Sequence, residues 1–399
     1  MERTKLRTAR VKKHWTLEKA AEAIGIGLTT LHQWEKGRAM PYPVNKQHLC
    51  EVYEATAAEL DLEEDIETSK EVISMWKLSE RITGEKDKDQ EETLSSLYED
   101  MLIMSWDSFR RSKSLQTITK IDEHVNKLHK LTHSASIGEE THWQSLLCRF
   151  SQLSTRIAQH RLDEPRALQI AKQAIMIAID LDDSELIAST FYGRGRVRME
   201  YSNTALDVAV KKRYFEQAKA DIDAALGYVE RVRIPLAGNI YLLAAEIYAH
   251  IAGNDAVLRI QCERWQDKVA LLVYSDKIED DGTFLKLNAT ALHHERAKTL
   301  LRFGKIEEAQ HELQNAWKTL QPNLFTWHMN MHLTQATLFI AKHEIEESTK
   351  ASLKAYSLAK TIHSHKGEIE VQCLLEQLKQ IDKTGAHIQN LKMITGGSI

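Results

Sequence analysis

One stretch of the chain, from Ala297 to Ala316, sets the terms for most of the fold. It reads AKTLLRFGKIEEAQHELQNA, with small residues at 297, 309 and 316, Gly304 between two helical runs, and Leu313 on the apolar side of the second. Small side chains at that spacing let two antiparallel helices cross closely, and a glycine can adopt the left-handed conformation that ends the first of them. The unit is a helical hairpin. One hairpin cannot bury its apolar face alone, so it predicts others stacked on it. Weaker copies follow the same plan: Gly195 with Ala218, Ile222 and Ala225; Ala245 with Cys262 and Trp265 beyond Gly253; Ala336 with Ala355; and an earlier pair over 141–160 and 164–181, split by Pro165. The intervals between Gly195, Ala245, Ala297 and Ala336 are 50, 52 and 39 residues, longer than a hairpin repeat of roughly 34 residues needs. A last helix over about 367–381 is expected to cap the array, and the tail after Gly385 is expected to fray.

Composition agrees with helices throughout. Five prolines and sixteen glycines in 399 residues are too few for a sandwich or barrel, which turns every 8–12 residues or so. With 43% hydrophobic and 28% charged residues, wholesale disorder is excluded. Cys50, Cys148, Cys262 and Cys373 form no C-x-x-C pair and read as reduced, mostly buried thiols of a cytoplasmic protein. The N-terminus has no apolar leader, and no run of 18 uninterrupted apolar residues occurs, so neither secretion nor membrane insertion is expected. The net charge of −4 conceals a partition: residues 1–48 carry ten Lys and Arg against four Asp and Glu, whereas residues 49–100 carry five against seventeen. Such asymmetry marks separate modules. We divide the chain into 1–62, a 63–92 acidic linker region with a short helix, and 93–399; Gly84–Glu92, charged and free of apolar residues, is the best linker candidate.

In the first module a helix is expected over about 5–13. Thr16 caps a second, with Leu17, Ala20, Ala21 and Ile24 at helical spacing and Gly25 ending it. A third runs to Glu35, burying Leu31 and Trp34 and closing at Gly37, and helices near 44–53 and 57–62 complete the bundle. Two short helices joined by a tight glycine-containing turn are a helix-turn-helix, whose second helix enters the major groove. The run TLEKAAEAIGIGLTTLHQWEKG resembles the λ-repressor/Cro-like (Xre-type) DNA-binding family, with Thr16, Ala21, Gly25, Ile26, Thr30, Leu31, Trp34, Glu35 and Gly37 in register. The resemblance implies that Arg10 pairs with Glu35, and that Leu28, Thr29, His32 and Gln33 approach base edges. Arg7, Lys12, Lys13, Lys36 and Arg38 are the implied phosphate contacts. Leu17 and Gly27 depart from the polar residues often found there.

The Ala297–Ala316 unit is similar to a tetratricopeptide (TPR) repeat, which makes the expected architecture all-α: an N-terminal λ-repressor-like helix-turn-helix bundle followed by a C-terminal TPR-like α-solenoid. Such a solenoid leaves a concave surface lined by the first helix of each hairpin. The template turns Tyr192, Arg196, Asn239, Glu246, His250, His294, Lys298, Arg302, Asn330 and Thr337 inward. That polar lining can hold a peptide's amides and carboxylate, or stand as a solvated groove or dimer interface. The two modules together resemble the Rap/PlcR/PrgX group of bacterial peptide-responsive regulators, including phage regulators of the arbitrium kind. This implies a homodimer on double-stranded DNA with a short signalling peptide, as in quorum sensing, or a protein partner in the groove. The alternatives are a DNA-tethered scaffold without a peptide ligand and a Rap-like protein-interaction regulator that does not bind DNA.

Nothing in the sequence points to catalysis. Phosphate-loop, H-E-x-x-H and G-x-S-x-G motifs are absent. His129/His133 and His328/His332 sit at i, i+4, but with eighteen histidines such pairs arise by chance, and neither a metal nor a cofactor is expected. Trp106 and Phe109 read as core or dimer contacts.

Overall fold

The computed structural model describes residues 4–24, 26, 28–36, 49, 52–53, 55, 58–60, 88–110, 121–135, 138–205, 207–275, 287–322, 324–382 and 385–395. They are all-helical. α1 (Thr4–Lys12), α2 (Leu17–Ile24) and α3 (Leu28–Glu35) enclose a core of Leu6, Ala20, Ala21, Ile24, Leu31 and Trp34, completed by Leu49, Tyr53 and Leu60. Thr16 caps α2, its Oγ1 accepting from the Lys19 amide at 3.2 Å. The Ile26 amide closes the other end of α2 on the Ala21 carbonyl at 2.9 Å. The helices expected over 44–53 and 57–62 fall largely outside the described residues; within them Val52 and Tyr53 are helical and Ala58–Leu60 forms a 3-10 turn.

α4 (Lys88–Arg110) begins inside the stretch expected to be linker; its acidic opening suits the positive end of a helix. α4 and α5 (Ile121–Ser134) pack with α6 (Glu140–His160) around Tyr98, Met101, Trp106, Ile121, Leu128, Trp143 and Phe150. From α6 onward the chain is a succession of antiparallel hairpins: α6 with α7 (Glu164–Asp180), α8 (Ser184–Thr204) with α9 (Val208–Leu226), α10 (Ile234–Ala252) with α11 (Ala256–Val273), α12 (Ala289–Arg302) with α13 (Ile306–Thr319), and α14 (Phe325–Ala341) with α15 (Ile345–Thr361). α16 (His365–Ile381) and α17 (Ala386–Thr395) make the sixth. The tail after Gly385 is therefore not frayed as expected, because Ile388 and Leu391 are fully buried against Leu375 and Leu378.

Close crossing and capped turns hold the hairpins. A Cβ on Gly195 would lie 3.3 Å from that of Asp221, so α8 and α9 meet as closely as the small residue allows. Asp183, Asp207 and Asp255 cap α8, α9 and α11 by accepting two amides each. The turns within α10–α11 and α12–α13 use Gly253 and Gly304 at positive φ, but Leu162, Asp182, His343 and His363 occupy the same left-handed position elsewhere. The apolar α10 is long enough to span a membrane by length and composition, yet most of it is buried between its neighbours as a core helix.

The first helices of the hairpins touch in order, α6–α8–α10–α12–α14–α16, and α16 returns to α6 and α8. The seam is specific. Nδ1 of His160 lies 3.2 Å from Oγ of Ser364, and Lys366 pairs with Glu200 at 3.1 Å. The concave side of the solenoid is thereby gathered into a cavity of about 1030 Å³.

Candidate DNA-binding face and solenoid cavity

α3 has two sides of opposite character. Leu31, Trp34 and Glu35 are buried, while Leu28 and His32 are exposed. α3 is fixed to α1 by the expected pair: Arg10 Nε donates to Glu35 Oε1 at 2.6 Å and Nη2 to Oε2 at 3.0 Å. Arg10 Nη1 donates in addition to the Trp15 carbonyl at 2.9 Å, tying in the turn before α2. The bidentate hydrogen bond with Glu35 raises the Arg10 pKa. With its acidic side chain held inside, α3 offers no carboxylate of its own to a phosphate backbone. Arg7, Lys12 and Lys36 are exposed, and Lys13 is half-buried with Nζ 5.7 Å from the Trp15 ring centre. The side chains of Thr29 and Gln33, and the whole of Arg38, lie outside the described residues.

In the cavity, nine of the ten expected groove residues stand on one wall system: Tyr192 and Arg196 from α8, Asn239 and Glu246 from α10, His294, Lys298 and Arg302 from α12, Asn330 and Thr337 from α14. His250 does not. Four residues beyond Glu246, it lies about 40° round the helix, and its ring packs on Phe215 of α9 with centroids 4.1 Å apart.

The wall carries an interlocked lattice of charge. Arg196 pairs with Glu246 at 3.1 Å and Glu295 at 3.4 Å, and Lys298 holds the same two carboxylates, reaching Glu295 at 3.0 Å. Glu200 accepts from Arg156 of α6 at 3.4 Å and, across the seam, from Lys366 of α16 at 3.1 Å, and Lys366 reaches Glu370 at 3.5 Å. Burial disfavours ionisation of Glu200, but Arg156, Lys366 and Arg196 outweigh it and hold its carboxyl far below the usual range. Glu370 goes the other way: burial raises its pKa, and Lys366 offsets only part. Burial, then Lys298, presses His294 down to about 3; burial, then Lys366 and Arg156, does the same to His160.

Two wall cations stand outside the lattice. Neither Lys211 nor Arg302 forms an ion pair with another described residue, although both line the cavity. The Arg302 side chain is exposed to the cavity but hemmed in by its walls, and this enclosure lowers its pKa to about 10 despite Glu246 and Glu295 nearby.

Reading the sequence for groove residues missed Arg156, Glu200, Glu295, Lys366 and Glu370. Glu295 neighbours the expected His294, and Arg156 and Glu200 stand on the neighbouring first helices α6 and α8, but α16 comes to the wall only through the seam, for which local spacing gives no signal. Trp106 and Phe109 also line the cavity, Trp106 itself buried and Phe109 edge-on to His160 with centroids 5.1 Å apart. His328 and His332 both pack on Trp317.

Residues 3–62 match a helix-turn-helix domain family. A comparison of the whole chain with curated proteins finds no match. The N-terminal segment is a helix-turn-helix domain of the Xre-like kind, and the chain that carries it is a DNA-binding regulator.

Proposed function

We propose that this protein is a sequence-specific transcriptional regulator, working in the cytoplasm as a homodimer, whose TPR-like solenoid senses a short peptide and passes its presence to the DNA-binding domain. It acts by binding and not by catalysis, and it needs neither cofactor nor metal. The observation that carries the reading is the wall of the cavity beside Lys211 and Arg302. At about 1030 Å³ the space exceeds the roughly 300–1,000 Å³ that drug-sized ligands fill. Asn330 and the amide oxygen of Asn239, whose Nδ2 donates to the Pro235 carbonyl at 2.7 Å, line it, and the two cations lacking carboxylate partners suit a ligand that brings its own carboxylate. The resemblance to the Rap/PlcR/PrgX group supports the same reading, with a peptide and an operator each favouring one arrangement of the dimer.

On the DNA, Leu28, Thr29, His32 and Gln33 would read bases, with Arg7, Lys12, Lys13, Lys36 and Arg38 on phosphates. The test is selection of bound DNA from a random pool, repeated with a random hexapeptide library present, on the full chain and on Arg302→Glu. A peptide-dependent change in operator affinity that the variant loses is the expected result. Equal affinity with and without every peptide pool would leave a regulator with no peptide input.

A further inference from the structure

α11 is the outer helix of its hairpin. It turns Cys262, Trp265 and Val269 inward, but its outer side is not the usual charged surface. Val257, Ile260 and Leu271, with Tyr274 just past its end, are 75%, 48%, 76% and 65% exposed. Among the described residues no other helix exposes more than two large apolar side chains. Together with Arg264 and Asp267 these four form one stripe, 257, 260, 264, 267, 271 and 274, whose steps of three and four are the spacing of a coiled-coil seam. A seam of this kind is ordinarily covered.

The stripe is also symmetrical about its own middle. Reversed end for end, 257 falls on 274, 260 on 271 and 264 on 267. Two copies laid antiparallel about a two-fold axis would therefore set Val257 on the partner's Tyr274, Ile260 on the partner's Leu271 and Arg264 beside the partner's Asp267, each contact occurring twice. A parallel pairing would instead set like charge on like. Arg264 has no ion pair within its own chain among the described residues, and the Asp267 side chain stays 74% exposed although Arg296 holds one oxygen at 2.7 Å.

We infer that α11 is the self-association surface of this protein, pairing antiparallel with α11 of a second copy through an apolar patch at each end and reciprocal Arg264–Asp267 ion pairs at the centre. This rests on the dimer reading above and names its surface. A helix of 18 residues is about 27 Å long, so the pairing buries less than a standard interface and belongs to the weak, micromolar class.

Sedimentation equilibrium of the full chain over a range of concentrations tests it, with Leu271→Glu, Arg264→Asp, Asp267→Arg and the double variant Arg264→Asp/Asp267→Arg. All the altered side chains are exposed, and thermal melts confirm an unchanged fold. Each single variant is expected to weaken the dimer by about tenfold or more, and the double variant to recover most of that loss because the exchanged charges again face each other. A dimer that none of the variants weakens overturns the α11 surface and leaves the dimer reading standing. A chain that stays monomeric at every concentration overturns both.

Discussion

The helix-turn-helix segment and the solenoid both hold ion pairs away from bulk water, but they use them for different ends. In the first, Arg10 and Glu35 lock α1 to α3 across 25 residues of chain, behind a core that is otherwise apolar, and Leu28 and His32 on the outward side of α3 stay exposed. In the second, charges from α6, α8, α10, α12 and α16 interlock around a space, and the seam joins residues 204 apart in the chain. The contrast separates two ways of preparing a surface for a ligand. A rigid local bundle presents a face to a partner larger than itself. The closed array encloses a space of its own and lines it with polar groups.

Acid should separate the two regions most sharply. His160 and His294 have folded pKa values near 3 against about 6.5 when unfolded, so below that value the unfolded chain takes up protons that the folded one refuses. Stability is therefore intact above pH 6.5 and lost as pH falls toward 3. Between pH 7.5 and 5 each histidine costs about 2 kcal/mol, roughly 4 kcal/mol for both, read as a fall in the urea midpoint. The helix-turn-helix core, which contains no histidine among its described buried residues, should not share this loss. Next in size, Glu246→Ala leaves Arg196 and Lys298 with only Glu295 between them, and should destabilise the solenoid by about 3 kcal/mol in chemical denaturation. Glu35→Ala should cost the N-terminal bundle less, about 2 kcal/mol, because Arg10 can turn to water; a larger loss there than at Glu246 would reverse the comparison. Smallest is Lys12→Ala, which should weaken binding to all DNA sequences alike and reduce the slope of log affinity against log salt by about 1. A change confined to one operator would move Lys12 from the phosphates to the bases.

How much could be read from sequence follows the same division. The Arg10–Glu35 pair, the Thr16 cap and the buried Leu31 and Trp34 were legible because they belong to one short motif with fixed spacing. The hairpins were legible at Ala297–Ala316, where Gly304 marks the turn, and less so elsewhere because Leu162, Asp182, His343 and His363 take that left-handed place. Such side chains fit there at a modest cost, but they erase the punctuation that a reader of sequence relies on. Nine groove positions followed from the resemblance of the hairpins to a TPR repeat. Lys366 and Glu370 did not, since they reach the wall only where the last hairpin returns to the first. The last helix was missed for a related reason: a ten-residue segment after a glycine looks like an end unless one knows that Leu375 and Leu378 are waiting for Ile388 and Leu391.

The return of α16 to α6 has a consequence for how the molecule comes apart. An open array of repeats melts from its ends, because a terminal unit has a neighbour on one side only, and its stability is a sum of units and nearest-neighbour contacts. Here the first and last hairpins are neighbours of each other, so the array has the connectivity of a hoop and neither end is free to unravel first. Peeling off any one hairpin opens two joints instead of one. Hydrogen exchange should accordingly show α6 and α16 nearly as well protected as α10, and a chain cut after Thr361 should lose that parity and fray inward from both newly exposed ends.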